Sequence, residues 1–389
     1  MSEATQHAVV ADNVFDGAAV HHDAAVVIAG IDIIDVRPVA DLPPAMAVRT
    51  LPKGAWLAPG FIDVQVNGGG DVLFNDTPTP EGIATIAAAH RRFGTTGLLP
   101  TLITDAPDKM RAAVAAVEAV SAREPGVLGI HLEGPFLSPG KAGVHDPRYF
   151  RAPDGGDVEL LTAPRRGRTL VTLAPEQVPD GFVAQLAAAG VRVALGHSMA
   201  TYAQTCAAMA QGLTGFTHLF NAMRPLESRE GGPIAAALES PQAFFGLIVD
   251  GVHVDPAMLR LSLRGLAKPM LVTDAMPPVG GRRSTFQLYG QEIAVQDGRC
   301  VRRDGTLAGA ALDMATAVRN CVRWLDVPLA SALQFAATNP ADFLGLGNRL
   351  GRFAPGYRAD MVAFMPDDVA VIETWVAGLG SPGNQATPD

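Results

Sequence analysis

The stretch "GFIDVQVNGGG", Gly60 to Gly70, reads as a strand closed at both ends by turn residues. Ile62, Val64 and Val66 alternate with Asp63, Gln65 and Asn67. Three polar side chains on one face of a strand either meet water or line a site. The segments that follow decide between these. "PEGIATIAAAHRRFG" has helical spacing, "TTGLLPTLIT" is an apolar strand, and "PDKMRAAVAAVEAVSAR" is helical again. The alternation continues for about 250 residues, with strands beginning near Phe61, Thr95, Val127, Leu170, Val191, Gly215, Phe244 and Met270. Nearly continuous apolar strands separated by amphipathic helices predict a parallel sheet buried on both faces. Eight such units predict a (β/α)8 TIM-like barrel. "NGGG" is not the phosphate-loop fingerprint of a doubly wound sheet.

The ends of the chain have a different texture. "HAVVADNVFDG" and "AAVVIAGIDIIDVRP" near the start, and "GYRADMVAFMPDDVAVIETWVAG" near the finish, read as short strands with turns between them. They predict a small β-sandwich domain formed by both chain ends, residues 1–55 and 349–382, around a barrel over 56–348. A β-hairpin insert is expected at about 282–306, able to pack on the small domain, and residues 383–389 read as a disordered tail.

Composition narrows the function. The chain has 389 residues, 48% hydrophobic and 18% charged, enough for a large core. The 39 acidic against 30 basic residues, a net charge of −9, make nucleic acid and anionic membranes poor partners. No apolar run reaches membrane-spanning length and no signal-peptide pattern opens the chain. The three scattered cysteines, Cys206, Cys300 and Cys321, suit a reduced cytoplasmic protein.

In such a barrel, polar residues at the C-terminal ends of strands form the active site. Those ends carry Gln65 and Asn67, then Glu133, His197, His218 with Asn221, Asp250 with His253, and Asp274. Taken singly, each histidine has a simpler explanation as a hydrogen-bonded core residue. Together, Glu133, His197 and His218 come from strands three, five and six, so the barrel would bring them to one mouth. A His2Glu set leaves a fourth position open, the pattern of a catalytic Zn2+ site. Asp274 then has the place of a general base and acid.

These residues resemble the amidohydrolase superfamily and, within it, the N-acetylglucosamine-6-phosphate deacetylases. The resemblance rests on "PGFIDVQVNG", "HLEGPF", "KAGVHDP", "GHSMATY", "THLFNAM", "DGVHVDP", "LVTDAMPP" and "TLAGAALDM", in that order over nearly the whole chain. It implies a metal-dependent hydrolase that removes acetate from an amino-sugar phosphate, with one divalent ion per subunit, Zn2+ or Fe2+, on Glu133, His197 and His218. Gln65 and Asn67 stand where many amidohydrolases have His-x-His, so they would line the site without holding a second ion. Lys53, Lys109, Lys141 and Lys268 are the only lysines, and none ends a barrel strand, so the carboxylated lysine of two-metal relatives has no counterpart. The resemblance further assigns His145 to the substrate carbonyl and Asp274 to proton transfer. Asn221 and Ala222 would contact the sugar, Leu307 the acetyl region, and Arg229 and His253 the phosphate. Arg224 is a second candidate for the phosphate. The family's arginine reaches in from a neighbouring subunit, which implies a homodimer. N-acetylgalactosamine 6-phosphate, or another amide, stays open as the substrate.

Overall fold

The structure, a computed structural model, describes residues 6–163, 166–296 and 298–384. Contacts divide the chain into two compact units: Met1–Asp63 with His90–Gly97 and Asp313–Asp389, and Val64–Ala89 with Leu98–Leu312. The helices from Met314 to Phe343 group with the first unit, although the sequence reading assigned residues up to 348 to the barrel.

The first unit holds an eight-stranded sheet made from both chain ends. Trp56–Pro59 joins them, pairing parallel with Gln6–Phe15 and antiparallel with Met361–Met365. Alternate side chains of the first strands go to opposite faces, as strand geometry requires. Val9, Ala11, Val14, Val26 and Ile28 pack with Met361, Ala363 and Trp375, while Ala8, Ala25 and Val27 form a separate cluster. The expected disorder from residue 383 is not found at its start. Gly383 N donates to Ile372 O and Asn384 N to Arg92 O, so the backbone stays tied where the sequence composition suggested release. Residues 385–389 of that expected tail lie outside the described residues, as do 1–5 of the small domain and 297 of the insert.

The barrel is an eight-stranded parallel sheet. Its strands are β1 (Phe61–Val66), β2 (Thr95–Ile103), β3 (Gly129–Glu133), β4 (Arg168–Leu173), β5 (Arg192–Leu195), β6 (Gly215–Phe216), β7 (Phe244–Leu247) and β8 (Lys268–Leu271). They lie in sequence order, and a parallel bridge from Val66 to Ala275 closes the circle. Every residue of β1, β2 and β3 is buried, including the polar Asp63, Gln65, His131 and Glu133. Helix starts follow local chemistry. Thr201 and Gln204 form a capping box before Tyr202–Ala210, and Asp255 accepts from Ala257 N before Pro256–Ser262.

The insert after β8 is larger than a hairpin. Thr285–Leu288, Gln291–Gln296, Arg299–Val301 and Leu307–Ala310 form a four-stranded antiparallel meander. Its apolar face, with Leu288, Ile293, Cys300 and Ala308, packs on Leu73, Ile103, Val144 and Met276 of the barrel unit. The sequence reading let it rest on the small domain. The alternation showed that one face must be buried but could not name the surface that buries it.

Candidate active site

The barrel mouth gathers the strand-end residues. His197 and His218 each place Nε2 3.0 Å from Glu133 Oε1, and their Nε2 atoms lie 3.2 Å apart. These three are the group of metal-ligating type found among the described residues, their ligand atoms all within 4.8 Å of one another. All are buried. His197, His218 and Asp274 have φ of +49°, +33° and +51°. Such backbone costs on the order of 1–3 kcal/mol per residue and gathers at functional sites. Here it marks the points where strands β5, β6 and β8 turn their polar side chains inward.

The donor set fits a cation. His197 Nδ1 lies 2.8 Å from Lys141 O, and a carbonyl only accepts, so Nδ1 carries the proton. Nε2 is then the ring nitrogen that meets a carboxylate oxygen 3.0 Å away. Two electron-rich atoms at that distance repel unless a cation sits against both. Burial pushes the Glu133 carboxyl up, but hydrogen bonds and charge from His197 and His218 outweigh it and hold the group well below its usual range. Burial lowers His218, and its bond to Glu133 more than compensates, leaving it raised.

Asp274 behaves in the opposite sense. Burial and the Glu133 charge push its carboxyl up to about 6, against opposing effects from His218, His253 and the Asn67 hydrogen bond. Asn67 Nδ2 reaches Asp274 Oδ1 at 2.6 Å; Gln65 Nε2 reaches the same oxygen at 3.3 Å and Glu133 Oε2 at 3.2 Å. The polar face of β1 therefore faces the site and supplies donors to two carboxylates. Asp63, further back on the strand, is fully buried.

Of the other sequence candidates, His145, Asn221, Ala222, His253 and Leu307 line the same cavity as Glu133, His197, His218, Asn67 and Asp274. His145 is buried, its ring centroid 4.3 Å from that of His197; burial and the His197 charge pull its pKa well down, so the ring is neutral. His253 is held by Asp250, whose carboxylate accepts from His253 Nδ1 at 2.6 Å and from His253 N at 2.9 Å. Arg229 is exposed in the loop after β6 and is not among the cavity's lining residues. Arg224 is half-buried and spends its Nε–H on Met199 O at 3.0 Å.

Two strand ends that the sequence reading left without a role also contribute. Glu176, just past β4, accepts from Ser198 Oγ at 2.7 Å and Met199 N at 2.6 Å, fixing the turn that follows His197. Thr104, just past β2, touches His145. The signal available was position, since each follows a barrel strand, and for Glu176 also its carboxylate; a threonine such as Thr104 is not of a type that marks a metal ligand or a general base. Deeper in the barrel, burial takes His131 down to about 4. It spans Val64 O at 2.9 Å and Thr172 Oγ1 at 2.7 Å as a neutral crosslink.

Comparison with known proteins agrees with this geometry. The model of the amidohydrolase family matches residues 56–380. The N-acetylgalactosamine-6-phosphate deacetylase of Shewanella sp. (strain ANA-3) is 43% identical over 326 residues, 83% of this chain and 82% of the relative. The N-acetylglucosamine-6-phosphate deacetylase of Haemophilus influenzae is 36% identical over 362 residues, 92% of this chain and 94% of the relative. The crystal structure of N-acetylglucosamine-6-phosphate deacetylase from Pasteurella multocida superposes with a TM-score of 0.93 at 34% identity, covering 97% of this chain and 100% of that one. Among the described residues no helix is long and apolar enough to cross a membrane.

Proposed function

The chain belongs to the amidohydrolase family, and on that premise we propose that it hydrolyses the acetamide of N-acetyl-D-glucosamine 6-phosphate to D-glucosamine 6-phosphate and acetate. The observation that carries this is the Glu133, His197 and His218 triangle with Asp274 beside it, in a chain 36% identical to a deacetylase of that substrate over 92% of its length.

Glu133, His197 and His218 would hold one divalent ion, with Zn2+ the best match to a His2Glu set and Fe2+ an acceptable alternative. When bound, such an ion lowers the pKa of water and polarises a carbonyl. Asp274 takes a proton from the attacking water and delivers it to the amine as the C–N bond breaks. His145 donates to the carbonyl oxygen as it gains charge. Asn221 and Ala222 contact the sugar, Leu307 borders the acetyl group, and Asn67 and Gln65 hold Asp274 in place. His253, fixed by Asp250, contacts the phosphate. Arg229 lies outside its own chain's cavity, which supports its reaching the phosphate in a second copy of the chain, as a homodimer. The reaction is one of amino-sugar catabolism, and we place it in the cytoplasm.

A second reading has its own support. The 43% identity to a deacetylase of the galacto epimer favours N-acetylgalactosamine 6-phosphate. Acetate release from both sugar phosphates, measured on protein of known metal content, tests both. A kcat/KM higher on the gluco substrate is expected; a higher value on the galacto substrate transfers the assignment, and no release from either by metal-loaded protein ends it.

A further inference from the structure

Thr104 follows β2, a strand that supplies none of the residues assigned above. It is 2% exposed, so its polar groups must find partners inside the protein. Its backbone N–H donates to His145 Nδ1 at 3.4 Å, and its hydroxyl oxygen lies 2.9 Å from the same nitrogen. A backbone N–H can only donate, so Nδ1 is the lone-pair nitrogen of the ring. A neutral imidazole that accepts at Nδ1 carries its hydrogen on Nε2. Nε2 is the nitrogen on the metal side, 3.9 Å from Glu133 Oε1.

The hydroxyl also lies 3.2 Å from Glu133 O, and its one hydrogen cannot serve both acceptors. The shorter contact is to His145. The opposite assignment, with Nδ1–H donating to the hydroxyl, would set that hydrogen against the one on Thr104 N. It would also turn an Nε2 lone pair toward the Glu133 carboxylate and toward any carbonyl oxygen in the cavity. Room for the hydroxyl comes from Gly134. A Cβ there would lie 2.1 Å from Thr104 Oγ1, and φ of +96° is unfavourable for a residue with a side chain. The glycine that follows the ligand Glu133 thus leaves the space that Thr104 fills.

We infer that Thr104 is a positioning residue that fixes His145 as the Nε2–H tautomer, the form able to donate to the substrate's carbonyl oxygen. The catalytic consequence rests on the role proposed for His145; the tautomer does not. The assignment says why strand two ends in a threonine at this point, and it makes the oxyanion donor a pair of residues rather than one.

The test uses the full-length, metal-loaded protein. Ring 15N shifts, with the His145 signal identified by its loss in His145→Asn, should place the hydrogen on Nε2. Thr104→Val keeps the shape and removes the hydroxyl. It should mix the two tautomers and lower kcat about tenfold while KM and metal content stay within twofold, and Thr104→Ser should restore both readouts. In the His145→Asn background, Thr104→Val should cost nothing more. A wild-type His145 protonated at Nδ1 overturns the inference, and that measurement needs no Thr104 variant to fold. An equal further loss from Thr104→Val in the His145→Asn background also overturns it, because Thr104 would then act elsewhere. Unchanged kcat in His145→Asn, with the wild-type His145 signal at Nε2–H, instead removes His145 from the reaction, and the catalytic consequence with it.

Discussion

Asn67 Nδ2 donates to Asp274 Oδ1 across 2.6 Å, joining the end of the first barrel strand to the end of the eighth. Gln65 reaches the same carboxylate and also Glu133. Neutral amides are poor metal ligands but good donors to anions. At the strand-one position they stabilise two carboxylates that would otherwise repel each other across the site.

Replacing Asn67 with Leu removes that donor at similar size. The hydrogen bond lowers the Asp274 pKa, so its loss should raise it further. Asp274 must be ionised to accept a proton, so the acid limb of the kcat/KM profile should move to higher pH. An acid limb that stays in place would show that Asn67 does not tune the base.

Asp274→Asn keeps shape and removes the titrating group. Turnover should fall by about 10³-fold, within the usual range for a general acid–base residue. Metal content should be unchanged, since the proposed ligands Glu133, His197 and His218 are untouched. Full turnover in this variant would remove Asp274 from the proton path.

Metal removal should abolish acetate release, and a divalent ion should restore it. Glu133→Gln weakens the shared anionic ligand between the two histidines and should reduce metal affinity at least 100-fold, measured by competition with a chromogenic chelator. Chelator-stripped protein, shown by elemental analysis to be free of metal, that still hydrolysed substrate at full rate would sink the metal assignment.

The pH dependence of stability carries a definite sign. Asp274 has an ordinary pKa of 3.8 and reaches about 6 when folded. The folded metal-free protein therefore binds the proton more tightly than the unfolded chain. That contribution is fully present below about 3.8 and is lost as pH rises through about 6, an effect of roughly 3 kcal/mol at most. Glu133 is shifted the other way and gains as pH rises, but it is common to wild type and Asp274→Asn. In metal-free protein the Tm of Asp274→Asn relative to wild type should therefore increase from pH 4 to pH 7. A difference independent of pH would contradict the raised pKa.

Arg229→Ala should raise KM for the phosphorylated substrate by about 10–100-fold with a smaller change in kcat, as expected for loss of a charge-assisted bond to phosphate. Arg224→Ala is the companion variant, because its guanidinium already has an intrachain partner. Equal losses on an unphosphorylated analogue would argue against a phosphate role for Arg229.

Much of this was legible along the chain. The eight barrel strands start close to the expected positions because a strand buried on both faces is mostly apolar and is bounded by turn residues and amphipathic helices, and that leaves a local signature. Glu133, His197, His218 and Asp274 stood out because carboxylates and imidazoles at strand ends are costly to bury without a task. Less was legible where a residue's part is set by its neighbours. Thr104 is an ordinary polar residue, and Glu176 a strand-end carboxylate with no visible task, until the fold brings His145 and the turn after His197 against them. The insert's strands could be read from their alternation, but not the surface that its apolar face covers.

By itself, the sequence determined the periodicities, the order of the elements and the chemical types available at each strand end, because these depend on residues adjacent in the chain. Only the tertiary structure decided that Glu133, His197 and His218 meet within hydrogen-bonding distance, that Lys141 O sets the protonated nitrogen of His197, and that Asp274 is raised by burial and by a carboxylate 141 positions away. Distances between groups remote in sequence arise from closing the barrel, and both the electrostatics and the tautomers follow from those distances.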